Sequence, residues 1–201
     1  MTRTDTRQRL LDAALPLVAR GGLKALTHRA VESAAGVARG SATYHLGSRH
    51  EIVEGLMERL ADLDVAAMDE ALNRLAVDHL ASGEVDLRAM VGGLVGAITA
   101  ERDRVLARYW LMLEAARDES LQHIARRWRE AFAALPEPVL TRLGVRAPAT
   151  VSRDLVALLD GVIFEHVCTG QTDDLRERAV EAVVAFVTDR TPATRPAPPG
   201  T

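Results

Sequence analysis

Aromatic residues are scarce in this sequence: three Phe, two Tyr and two Trp in 201 residues. A core must therefore be filled by Leu, Val and Ala, which the 48% hydrophobic content supplies. Ala and Leu are strong helix formers, and strand-forming residues are sparse outside the last third, so the composition points to helices. One cysteine, Cys168, excludes an internal disulfide and fits a reducing compartment. The opening MTRTDTRQRL has no apolar signal core, and no window approaches the roughly 18 apolar residues of a membrane span. A cytoplasmic protein without a membrane partner is expected.

Catalytic patterns are missing as well. There is no G-x-S-x-G elbow, no Walker loop and no dinucleotide fingerprint. His50-Glu51-Ile52-Val53-Glu54 begins like a zinc-protease helix but lacks its second His. His28, His45, His50, His79, His123 and His166 show no metal-ligand spacing. His166 and Cys168 lie two apart on a presumed helix and point to different faces, so Cys168 reads as a buried structural residue. Neither an enzyme, a metal site nor a cofactor is expected.

What is present is an uneven charge. The chain carries a net −3, yet its first fifty residues hold eight basic and three acidic side chains, a net +5. The remainder is net −8. A basic head on an acidic body is the footprint of a polyanion-binding module joined to something else; chance clustering of surface charge is the alternative.

Helical periodicity begins near Asp5, with Leu10, Leu11, Ala14, Leu17 and Val18 on one face. Pro16 should kink or restart that helix, and Gly21-Gly22 should end it. Thr27 is placed to cap a short helix over His28–Ala35, with Ala30, Val31 and Ala34 facing inward. Gly36 breaks it, and Val37 plugs a tight turn. A third helix is expected from about Arg39 to Leu46. Ser48-Arg49-His50-Glu51 is a capping box that opens a long helix from Arg49 to about Leu75. A loop near His79 to Glu84 follows. Further helices are expected at about Asp86–Thr99, Arg102–Ala116, Glu119–Leu135, Thr150–Thr169 and Asp173–Thr188. Pro136 and Pro138 bracket a turn, and Gly144 and Pro148 mark another loop. Four prolines in the tail after residue 190 predict disorder.

Two short helices joined by a Gly-containing turn have helix-turn-helix logic: the first braces and the second enters the major groove. The second offers Arg39, Gly40, Ser41, Thr43, Tyr44 and His45 within two turns. Arg can pair bidentately with guanine, Thr can meet a thymine methyl, and Gly permits close backbone approach. Ser41, Tyr44 and Arg49 can reach phosphates, as can Thr27 at a helix N-terminus.

Over Arg9 to Met57 the sequence resembles the TetR family of regulators. The matching positions are Gly22, Leu26-Thr27, Ala35-Gly36-Val37, Gly40 with Tyr44-His45, and Ser48-Arg49-His50-Glu51. The resemblance implies an all-α fold of about nine helices. A three-helix DNA-binding head would cover 1–48, a ligand-binding and dimerising body 49–190, and a tail 191–201. It makes Thr27, Ser41, Tyr44 and Arg49 phosphate contacts and Arg39, Gly40 and Thr43 the base-reading surface; His45 is either a phosphate contact or a packing residue. Three positions depart from the family pattern. Ala38 stands where Ser or Thr usually caps the recognition helix, Thr43 where Tyr is common, and Leu46 where Phe is frequent.

The body carries no comparable motif. The resemblance implies that its last two helices pair between subunits. The candidates for that interface are Leu155, Leu159, Val162, Ile163, Leu175, Ala179, Val183 and Phe186, with packing inside one chain as the alternative. Candidates for an effector pocket are Met57, Leu60, Leu94, Ile98, Tyr109, Met112, Trp128, Phe132, Phe164 and His166; a plain core stripe is the alternative. Gly92, Gly93 and Gly96 either admit close packing or leave room for a ligand. The expected function is transcriptional regulation by a homodimer on palindromic operator DNA, released by a small-molecule effector, repression being the commoner mode among the proteins it resembles. A helical carrier or scaffold would explain the body but not the basic head.

Overall fold

A computed structural model describes residues 3–82, 86–170 and 174–191, with the backbone alone at 3 and 75–82. The expected tail beyond residue 191 lies outside the described residues. Ten α-helices and two 3-10 turns, with no strand, form among those described. The chain divides into two compact units, Met1–Ala71 with Gly96–Ala131, and Leu72–Val95 with Phe132–Thr201.

In the first unit, α1 (Arg3–Gly21) continues through Pro16 without restarting. The lost hydrogen bond is tolerated because the helix is fixed by burial, with Leu10, Leu11, Ala14, Leu15, Val18 and Ala19 all in the core. A 3-10 turn over Gly22–Ala25 leads to α2 (His28–Ala35) and α3 (Ser41–Leu46). α4 (Arg49–Ser82) runs farther than its sequence suggests. The helix covers His79 to Ser82, where the sequence suggests a loop; Gly83 and Glu84 lie outside the described residues. α1 packs on α2, α3 and α6 (Arg102–Ala115). A 3-10 turn over Glu119–Leu121 precedes α7 (Gln122–Ala134), so the single helix expected over Glu119–Leu135 opens as a tighter turn. Asp118 caps that turn by accepting from Ser120 N at 3.0 Å.

The second unit holds most of α5 (Leu87–Ala100), α8 (Glu137–Arg142), α9 (Pro148–Thr169) and α10 (Leu175–Thr188). The turn expected between Pro136 and Pro138 is instead the start of α8, because proline is accommodated in a first helical turn whose N–H groups have no partner. The same reason lets Pro148 open α9 rather than lie in a loop. α9 packs against α8 and α10, and Ser152, fully buried, donates to the Ala133 carbonyl at 2.6 Å.

Candidate nucleic-acid interface

The α2–turn–α3 segment is built from local signals. Thr27 is extended and accepts a hydrogen bond from Ala30 N at 3.2 Å, the expected cap of α2. Val31 faces inward with no exposure, but Ala34 is exposed and Val37 only half-buried, because the short turn carries them past the core edge. Leu26, Ala42 and Leu46 are buried and seat α3. The helix begins at Ser41, not Arg39, since Gly40 has φ +89° and interrupts the helical path. Arg39 therefore sits in the turn that leads into α3.

The outward side of this segment presents Arg39, Gly40, Thr43 and Tyr44, all exposed, Tyr44 at 70%. Ser41 and His45 are half-buried. His45 Nδ1 is enclosed without a hydrogen-bond partner among the described residues, and its ring meets Tyr44 edge-on at 4.9 Å. The polar candidates for base and phosphate contact thus share one solvent-facing surface, apart from Thr27 and Arg49, which are exposed at the beginnings of α2 and α4.

Four polar contacts fix that surface. Glu32, only 6% exposed, accepts from Gly40 N at 2.8 Å and Ala42 N at 3.1 Å through one carboxylate oxygen. His28 Nε2 meets the Gly47 carbonyl at 2.6 Å, tying the start of α2 to the end of α3. Arg49 donates to the Leu23 carbonyl at 2.7 Å, so part of its guanidinium is engaged within the head. The capping box forms both bonds: Ser48 N donates to Glu51 at 2.7 Å and Glu51 N to Ser48 Oγ at 3.2 Å. The bond from Ser48 N holds the Glu51 carboxyl below its ordinary range, with help from the Ser48 hydroxyl. Gly47 is required beside it: φ is +76°, and a β-carbon there would lie 2.5 Å from the Glu51 carboxylate. Beyond the box, His50 Nδ1 lies 3.4 Å from Asp118, whose carboxyl the Ser120 hydroxyl holds low from 2.6 Å.

Sequence reasoning passed over Glu32 and His28. The available signal was indirect. With Ala38 unable to cap α3, another acceptor had to serve its first N–H groups.

The body candidates separate between the units. Met57, Leu60 and Trp128 are buried in the first, where Ile98, Tyr109 and Met112 are half-buried. Leu94 is buried in the second, Phe132 and His166 half-buried, and Phe164 is 48% exposed. The first unit also contains a buried ion cluster absent from the sequence reading: Asp64 accepts from Arg104 at 2.8 Å and Arg108 at 3.0 Å. At Gly92 a β-carbon would meet the aliphatic stem of Arg176 at 3.6 Å, ordinary contact distance.

Leu155, Leu159, Ile163, Leu175, Ala179 and Val183 are all buried within the chain, where α9 packs on α8 and α10. Val162 and Phe186 remain half-buried. Among the residues of α9 exposed in the chain are Ala157, Gly161 and Phe164. Cys168, expected inside, is also exposed there.

The comparisons with known proteins agree with this geometry. The family of bacterial regulatory proteins of the tetR type matches residues 10–56, and the tetracyclin repressor-like C-terminal domain matches residues 82–190. The crystal structure of the multidrug binding protein EbrR with imidazole is 30% identical, with a TM-score of 0.70 over 94% of this chain and 93% of that one. EbrR with ethidium is 29% identical, at a TM-score of 0.66 over 90% and 98%. A TetR-family member of Streptomyces coelicolor A3, SCO1917, is 29% identical, at a TM-score of 0.63 over 90% and 98%. No curated protein matches the chain by sequence. No described helix is long and apolar enough to cross a membrane. With a head-domain match at one end and a C-terminal match over more than half its length, the chain belongs to the TetR family of DNA-binding transcriptional regulators.

Proposed function

We propose that this regulator is a cytoplasmic repressor that acts without catalysis, occupies a palindromic operator as a homodimer, and is released by a small-molecule effector. The observation that carries the reading is the outward surface of Arg39, Gly40, Thr43 and Tyr44 on a segment held at both ends by polar contacts. A reader of base edges must present a few side chains in fixed register. In this reading Arg39 and Thr43 address bases beside Gly40. Thr27, Ser41, Tyr44 and the unengaged part of the Arg49 guanidinium hold phosphates. Residues 1–48 form the reading head and 49–190 the effector-binding and dimerising body.

Dimerisation follows from the size of the reader. One six-residue helix spans too few base pairs for a specific site, and two-fold pairing on a near-palindrome doubles the readout. The exposed face of α9, with Ala157, Gly161 and Phe164 flanked by half-buried Leu158 and Val162, is the surface through which two copies would meet. The effector is a small organic molecule, in keeping with the imidazole and ethidium held by EbrR.

Selection from a random double-stranded DNA pool, followed by titration of the winner at several salt concentrations, tests this reading. A palindromic winner bound by two copies is expected. Arg39→Ala should relax base preference at one position per half-site, costing roughly 1–3 kcal/mol of discrimination there. Equally weak binding of all sequences would mean that the head is not a specific reader.

A further inference from the structure

Recognition helices need their first N–H groups satisfied, because an end that frays cannot hold its side chains against base edges. α3 has no side-chain cap of its own. Gly40, at its N-cap position, has no side chain to offer, and the Ala38 side chain two residues earlier cannot accept; the Ala38 carbonyl takes only Ser41 N, at 3.1 Å. Yet Gly40 N and Ala42 N both reach a single acceptor, the Glu32 carboxylate at 2.8 and 3.1 Å. That carboxylate comes from α2, eight and ten residues earlier, and its residue is almost completely enclosed. A buried carboxylate is costly unless it is hydrogen-bonded, so the two N–H groups and the acid depend on each other.

We infer that Glu32 is a positioning residue for operator recognition: a cap supplied from the bracing helix that sets the angle and register of the base-reading helix. The bonded positions explain why its effect falls on base reading. Gly40 lies between Arg39 and Ser41, and Ala42 immediately precedes Thr43 and Tyr44. Every outward side chain of the segment is therefore within one residue of a backbone group that Glu32 holds, or next to one that is. A cap made by the helix's own preceding residue would fix only the local turn. One made by Glu32 also fixes α3 relative to α2, and the separation of bracing and reading helices decides which base edges Arg39 and Thr43 can reach.

The occupied N–H groups carry a second consequence. They are not available to a DNA phosphate, so phosphate contact at this end falls to hydroxyls and guanidinium groups. A shift of α3 also moves the phosphate candidates Ser41 and Tyr44, but attraction to the phosphate backbone tolerates a small displacement that bidentate base contacts do not, so Glu32 acts mainly on base reading. This separation makes the role measurable.

The inference rests on α3 being the base-reading helix, and the experiment separates the two ideas. Full-length wild type, Glu32→Ala and Glu32→Gln are titrated with the selected operator and with a scrambled duplex at the same salt. Gln keeps a carbonyl oxygen able to accept both bonds, whereas Ala removes the acceptor. In Glu32→Ala the ratio of operator to scrambled affinity should fall by about thirtyfold, in line with the loss of roughly 1 kcal/mol per cap in each of two heads. Scrambled-duplex affinity should stay within about twofold, and Glu32→Gln should keep most of the ratio. Amide exchange at Gly40 and Ala42, measured without DNA, should quicken in Glu32→Ala and stay near wild type in Glu32→Gln. This reading survives even if the Ala variant is too unstable to titrate, since Glu32→Gln must then retain the slow exchange. An unchanged ratio in Glu32→Ala, or equal losses on both duplexes, would overturn the inference while the operator reading stands. If wild type itself prefers no sequence, the base-reading assignment falls and this inference with it.

Discussion

Asp64 shows how much a single side chain can carry in this fold. Its side chain is 7% exposed and faces two guanidinium groups whose own side chains are 23% and 11% exposed. Asp64→Ala leaves both cations largely enclosed without the acid, and breaking such a pair typically costs about 3 kcal/mol or more. Chemical denaturation of Asp64→Ala at neutral pH should show that loss as a lower midpoint with an unchanged slope. Exposed Arg20–Asp103, by contrast, should be worth little. Glu51 adds a pH signature. Its carboxyl is held below the ordinary range by Ser48, so the folded state binds its proton less readily than the unfolded chain does. The stabilisation is full above the ordinary glutamate range and is lost as pH falls through the lowered folded value. The stability gap between wild type and Glu51→Ala should accordingly be flat near neutrality and shrink in acid; a gap that widened in acid would contradict the capping-box geometry.

At the scale of elements, α9 carries the sharpest prediction. Its inward residues pack on α8 and α10, so the proposed pairing between copies would use the outward Ala157, Gly161 and Phe164. Phe164→Asp places a charge on that face at a residue that is 48% exposed. Sedimentation should then show a shift from dimer to monomer with the helical content retained, and a dimer of unchanged strength would move the interface elsewhere. The same helix shows where sequence stops being legible. Periodicity identified the apolar stripe of α9, because i, i+3 and i+4 spacing reports a buried face. It could not say whether a neighbouring helix of the same chain or a second copy covers that face, since both demand the same residues. The head was read far more closely, down to the Thr27 cap and both bonds of the capping box. Its signals are local, a polar cap or a glycine at a turn, and they need no knowledge of what packs above. Glu32 escaped because its partners lie eight and ten residues away across a turn. The end of α4 escaped for a different reason: the expected break rests on Ser82-Gly83, but between Leu75 and Ser82 no Gly or Pro stops the helix.

For the whole molecule, the division of the chain cuts across its order in sequence. The first unit contains α1 to α3, α4 as far as Ala71, and then α6 and α7, after the chain has left at Leu72 and returned at Gly96. The contact that closes this unit is α1 on α6. Trp110 of α6 covers Gly22, where φ is +61° and a β-carbon would lie 3.2 Å from the indole. Arg20 reaches Asp103 at 3.3 Å, and Asp64 is held by Arg104 and Arg108. A fragment ending at residue 82 keeps every residue proposed to touch DNA, yet it lacks α6. The face of α1 that packs on α6 would lose its cover, and each large apolar side chain returned to water costs roughly 1.5–3 kcal/mol. A small four-helix fragment has little stability in reserve against several such losses. The fragment 1–82 should therefore melt without a cooperative transition and bind operator far more weakly than the full chain, whereas a chain carrying Gly22→Ala should fold but melt at lower temperature because of the strained φ and the crowded indole. If circular dichroism showed the fragment melting as sharply as the intact protein, the reading head would be self-sufficient. α6 would then be a passive support, with no direct path through α1 by which an effector in the body could act on the head.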